Sequence, residues 1–132
     1  MSTARDDVKA RIDAIERSYE FFLAYAAQGL TSDQGSKSGG QLRDSLKRTE
    51  SALDGLADRF RVLVKDDGAE PAAAWSDLVD VLESDAGAAL AAVRLVAARA
   101  GISSQLIDNL NANIHLRALL TDLFLMDDLI DS

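Results

Sequence analysis

Residues 75–100 read WSDLVDVLESDAGAALAAVRLVAARA, and within them Trp75, Val79, Leu82, Ala86, Ala89, Val93, Val96 and Ala100 recur at alternating intervals of four and three. Side chains three and four apart lie one above the other on a helix, so this rhythm predicts a helix with one apolar stripe. The same rhythm runs through three other segments. Val8, Ile12, Ile15, Tyr19, Phe22 and Ala26 form one stripe, and Leu42, Leu46, Thr49, Leu53, Leu56, Phe60 and Leu63 form another. Ala112, Leu116, Leu119, Leu123, Met126 and Ile130 form the last. The expectation is an all-α single domain over residues 1–132, an up-down-up-down antiparallel four-helix bundle with helices at about 3–28, 39–65, 71–100 and 103–130.

The punctuation between these segments supports that division. Ser2 or Thr3 can cap the first helix, and Asp6 and Asp7 suit its positive first turn. Gly29 is placed to end it, with Leu30 folding back on Tyr25. Residues 29–40 are rich in glycine, serine and polar side chains and are expected to form a flexible loop. Ser38 and Gln41 have capping-box spacing for the second helix, which Asp66, Asp67 and Gly68 should end. Pro71 suits a first helical position, and Gly101 a helix end. Ser103 is a candidate cap flanked by a staple pair, Ile102 and Ile107. A linker of only about two or three residues would make the last two helices antiparallel neighbours.

Charge and composition narrow the function. With 14 Lys plus Arg against 22 Asp plus Glu the net charge is −8, which repels nucleic acid at long range. The absence of cysteine excludes disulfides, thiolate metal sites and Fe–S clusters, and fits a cytoplasmic setting. No apolar run is long enough to span a bilayer, so no membrane association is expected.

The third and fourth segments carry more apolar surface than one core seam needs. Leu78, Val81, Leu90 and Leu95 lie outside the stripe of the third. Leu106, Ile107, Leu110, Ile114, Leu120, Phe124, Leu125 and Leu129 lie outside that of the fourth. Helices apolar nearly all round are buried on more than one side, so these two are expected to form a homodimer interface. Leu90, Leu95, Leu120 and Phe124 are its candidate residues. Phe21 and Tyr25, four apart on the first helix, are candidates for an exposed aromatic pair that meets a protein partner, or equally for rings that wrap around the loop.

A second candidate site is the polar run Asn109, Asn111, Asn113, His115 and Arg117. Asparagine competes with the helix backbone for hydrogen bonds, so three in one helix interior need compensation. Counting by height places Glu16, Glu20 and Glu50 level with the run, where a carboxylate could pair with His115 or Arg117. Ala86, Gly87, Ala88, Ala89, Ala91 and Ala92 make the third helix thin at the same height. Large rings from Tyr19 and Phe22 could fill that space, or it could admit a small ligand or a close intersubunit crossing.

Catalytic and cofactor signatures are missing. A carboxylate-bridged di-metal site needs Glu-x-x-His pairs from two helices, and the residue three before His115, the single histidine, is Ala112. His115 and Met126 share one helix and could not face each other across a haem iron. The segment Gly35-Ser36-Lys37-Ser38-Gly39-Gly40 lacks the spacing of a phosphate-binding loop. No cofactor is therefore expected. Histidine-phosphotransfer domains are similar at the level of fold alone, being acidic helical bundles with a single reactive histidine. They typically carry a lysine three residues after it and a small residue four after, where this chain has Ala118 and Leu119. The expected function is a non-catalytic dimeric adaptor or accessory protein that binds another protein through helix faces. The alternative is a small-ligand-binding or histidine-phosphotransfer-like domain centred on His115. Asp127, Asp128 and Asp131 put negative charge at the negative end of the fourth helix, as an acidic tip for a basic partner or as a hydrated terminus.

Overall fold

The computed structural model describes residues 3–131, all-helical with no strand among them. There are six helices, not four: α1 (Ala4–Ala26), α2 (Gly39–Leu53), α3 (Leu56–Asp66), α4 (Ala72–Ala97), α5 (Ser104–Ala112) and α6 (Ile114–Asp131). The expected second helix, 39–65, and the expected fourth, 103–130, are each broken in two.

Both breaks have a local cause. Between α2 and α3, Gly55 takes the left-handed conformation at φ +81°, which a side chain would strain. The carbonyls freed there are taken up by Arg11, whose Nη1 donates to Ala52 O at 3.1 Å and Asp54 O at 2.6 Å. Asp7 holds that guanidinium at 3.0 Å and Arg59 of α3 at 2.6 Å, so α1 clamps the break from the side. Between α5 and α6 the agent is Asn113, extended at φ −61° and ψ 128°. Its Oδ1 accepts from the backbone N–H of His115 at 3.0 Å and of Leu116 at 3.1 Å, an N-cap that starts a new helix.

Several expected ends move for similar reasons. Thr3 and Asp6 form a reciprocal capping box at the start of α1, while Ser2 lies outside the described residues. Ser38 precedes α2 but makes no capping bond; its hydroxyl donates instead to Gln28 Oε1 at 2.8 Å. Pro71 sits one residue before α4 in extended backbone, not at the first helical position. Gly101 does not end α4, which stops at Ala97, so residues 98–103 form a connection longer than expected. Ser103 caps α5 by accepting from Leu106 N at 3.0 Å, and Ile102 and Ile107 beside it are both fully buried.

Helix α1 packs against α2, α3, α5 and α6, and α4 packs against the same four. The core between them holds Phe22, Phe60, Ile15, Leu42, Leu82 and Leu116, all without solvent access of any size. The acidic end of α6 is compensated from α1 and is not a free tip. Lys9 Nζ donates to Asp127 and Asp131, each at 2.7 Å, and Arg5 Nη1 to Ile130 O at 3.0 Å.

The segment expected to be flexible, residues 29–40, is tied down by a buried polar knot. Asp33 is only 7% exposed. Its Oδ1 accepts from Ile102 N at 2.7 Å and its Oδ2 from Arg43 Nε at 2.8 Å. The same guanidinium donates to Ala97 O at 2.8 Å, the last carbonyl of α4, and to Arg99 O at 2.9 Å and Ala100 O at 3.1 Å just beyond it. Beside it, Ser104 N donates to Leu30 O and Leu30 N to Ser104 Oγ, both at 2.9 Å, while Ser104 Oγ donates to Tyr25 O at 2.7 Å. Gly39 is needed at the start of α2, because a Cβ there would lie 2.2 Å from Asp33 O.

Arg43 holds the Asp33 carboxyl below the usual carboxylate range, chiefly by hydrogen bonding. A depressed native value stabilises the fold above the unfolded-state value, near pH ~3.9, and that contribution is lost as pH falls through the native value. Asp33→Ala, which strands a guanidinium and a backbone N–H, is expected to cost about 2–3 kcal/mol. Asp33→Asn is expected to flatten the acid limb of the stability profile. Urea denaturation across the acid range checks both.

Candidate functional site

The amide run does not assemble with the carboxylates expected to join it. Asn109, His115 and Arg117 are exposed, Asn113 is spent as a helix cap, and Asn111 is buried. Glu16 lies nearer the other end of α6. Its carboxyl is pushed up first by burial and then by the charges of Asp127, Asp13 and Glu20. Glu20 is exposed on α1. The run is thus three separate things: a cap, an exposed fringe and a buried amide.

That buried amide is an unresolved element of the core. Both Asn111 Nδ2 and Oδ1, and also Ser18 Oγ on α1, are buried with no hydrogen-bond partner among the described residues. Ser104 at the start of α5 is bonded to Tyr25 O near the end of α1, and Ser18 and Asn111 each stand seven residues along their helices from that contact.

The proposed interface residues separate as sharply. Tyr25 is not exposed: it is fully buried and its hydroxyl donates to Ile102 O at 2.6 Å, part of the knot. Phe21 is half-buried and stacks on that ring at 6.4 Å between centroids. Leu120 belongs to the core, and Leu90 is half-buried beside the α2–α3 break. Leu95, 73% exposed, and Phe124, 56% exposed, are the two left in water.

Leu95 belongs to a larger feature that runs the length of the α4–α6 seam. Leu78 and Leu129 line one cavity at the lower end, Asp85 and Asp122 meet in the middle, and Leu95 and Asn113 line one groove at the upper end. Within that register Val81, Ala88, Ala92 and Leu95 of α4 look outward beside Ile114, Ala118, Leu125 and Leu129 of α6. Val81, Leu95, Ile114, Leu125 and Leu129 are all exposed, Ile114 to 73%. The alanines between them keep the middle shallow. Gly87 lies on the other side of α4, lining the hollow at the α2–α3 break, where a Cβ would stand in open space.

The seam has an apolar mouth at each end. The lower cavity, about 620 Å³, lies between Trp75, Leu78, Leu63 and Leu129, with Arg5 and Asp67 at its rim. The upper groove, about 680 Å³, has Leu95, Val96, Leu106 and Leu110 as its floor and Gln105, Asn109 and Arg99 on its edge. Asn109 and Asn113 therefore do border a cavity, but His115 and Arg117 are not part of its wall.

At the centre of the face stand two carboxyls. Asp122 Oδ2 is buried and meets no N–H or O–H donor. What it faces is the Asp85 carboxyl across the seam, and two carboxyls can hydrogen bond only if they share a proton. Burial first, and the neighbouring Asp85 second, push Asp122 up to about 7. Among the described residues no group of three or more His, Asp or Glu is placed to hold a metal ion.

Sequence reading missed this pair. Its signal was available: Asp85 and Asp122 are the charged residues interrupting two otherwise apolar outward rows. Burying an unpartnered hydroxyl costs more than it returns, so Ser18→Ala is expected to stabilise the fold by about 1 kcal/mol, helped by alanine's better helix propensity. Thermal unfolding of the variant beside the wild type checks it.

Comparison with protein families, with curated proteins and with solved structures finds no match to this chain.

Proposed function

We propose that this chain is a non-catalytic interaction module that pairs with a second copy of itself through the α4–α6 face and in that form serves as an adaptor or accessory protein. In this reading the six helices act as four rods in up-down-up-down order, α1, α2 with α3, α4, and α5 with α6. The observation that carries it is the alignment of Val81, Leu95, Ile114, Leu125 and Leu129 on one side of the molecule, all exposed.

The size of the face and the lack of charge along its middle favour a second copy as the occupant. The face follows the 18 residues of α6, which at ~1.5 Å per residue and ~20 Å for two helix widths gives a footprint on the order of 500 Å². That is as large as the largest patch an ordinary monomer exposes and approaches the ~800 Å² each partner of a stable complex buries. Two chains of net charge −8 repel each other. Contact along rows whose middle carries no charge except the shared carboxyls, with Asp77 at the end of the α4 row, keeps the other like charges at the perimeter. A two-fold axis near Ala88 would lay Leu95 of one copy opposite Val81 of the other, since each stands seven residues from it. Alanines at the crossing then permit close approach.

Sedimentation velocity tests the pairing. The wild-type chain is expected to sediment as a dimer, and Leu95→Asp and Ile114→Asp as monomers that keep their helical content. Leu23→Asp, at an exposed leucine on α1, is expected to leave the dimer intact. A wild-type chain that stays monomeric at every concentration would overturn the reading.

A further inference from the structure

We propose, resting on the pairing argued above, that the Asp85–Asp122 carboxyls are a proton latch on self-association: the two copies hold together while each pair keeps a shared proton and separate when it is lost. Among the described residues of the chain the pair has no other partner. Asp122 Oδ2 has no donor among the described residues and faces only the other carboxyl. On α4 the pair is flanked by Val81, Leu82, Ala88 and Ala89, and on α6 by Ala118, Leu119, Leu125 and Met126. None of these can neutralise a second negative charge.

His115, exposed on α6, stands two turns before Asp122 on the same side, and no cation of the helices packed against α4 and α6 acts on the pair. Lys9 of α1 is held by Asp127 and Asp131, and Glu16 of α1 lies near Asp127. Arg61 of α3 bonds Asp58, Asp80 and Glu83. Arg94 of α4 reaches Glu50 of α2, and Asp108 of α5 is exposed. The charge recorded as acting on Asp122 is that of Asp85.

Covering the face with a second copy removes the water that still reaches both carboxyls. Desolvation disfavours the charged form, so the paired state binds more protons than two separate chains. The sign follows. Association strengthens as pH falls and weakens as pH rises past the point where Asp122 ionises. The change is about tenfold in Kd per pH unit for each proton taken up.

Sedimentation equilibrium of the full chain at about pH 5.5 and about pH 8.5 tests this, with Asp122→Asn and Asp85→Asn alongside. An amide beside a carboxylate reproduces the singly protonated pair at any pH in that range. The wild type is expected to associate at least tenfold more tightly at the lower pH, and each variant to associate equally at both, near the wild type's acid strength. A wild-type dimer of unchanged affinity across the range would overturn the latch and leave the pairing standing, as would variants that keep the full pH dependence. Absence of association in every protein at both values would overturn the pairing and the latch with it.

Discussion

The Asp33–Arg43 pair is the constraint on which the upper end of this molecule depends. One carboxylate, nearly without water, joins a guanidinium and the Ile102 N–H. The guanidinium in turn closes three carbonyls at and beyond the end of α4. A charge so placed stabilises little by itself, but removing either partner leaves the other buried and unpaired. Its effect is geometric: it sets where α4 stops, hence how the chain turns into α5, and hence how α6 lies against α4.

From that placement the outward face follows. Helices α1 and α4 each lie between the two segmented rods and contribute one stripe to the core. A helix needs only one such stripe in a structure of this size, so the further apolar residues of α4 and α6 have nowhere inside to go. They emerge side by side because those two helices are neighbours. The same proximity brings Asp85 to Asp122, and burial together with that second carboxyl disfavours the ionised form of Asp122.

Much of this was legible in the chain, and the parts that were not share a cause. The four apolar stripes name most of the core, Val8, Ile12, Leu46, Phe60, Leu82, Val93, Leu119 and Met126 all being buried, although Ala100 and Ala112 from the same stripes are exposed. The breaks escaped because they preserve phase. Leu53 and Leu56 stand three apart across the break at Gly55, so the stripe continues although the helix does not. Asp54-Gly55 was a turn signal inside a periodic run, and periodicity outweighed it. The asparagine run was recognised as needing compensation; that Asn113 supplies it by capping a new helix depends on backbone geometry. Tyr25 was misplaced on the surface because its partner, Ile102 O, lies in a connection far along the chain. Periodicity reports which side of a helix is apolar, and not which distant loop will cover it.

The knot joins parts of the chain that are far apart in order. Tyr25 meets Ile102 across 77 positions, Asp33 meets it across 69, and Arg43 reaches Ala97 across 54. Each of these bonds spans α3 and closes at or beyond the last residue of α4. Bringing such remote points together carries a loop-closure cost that local helix formation does not help to offset until α4 is docked. The N-terminal half therefore acquires its well-ordered loop only once most of the C-terminal half has been made, and a nascent chain that stops within α4 lacks the carbonyls that Arg43 is poised to bind.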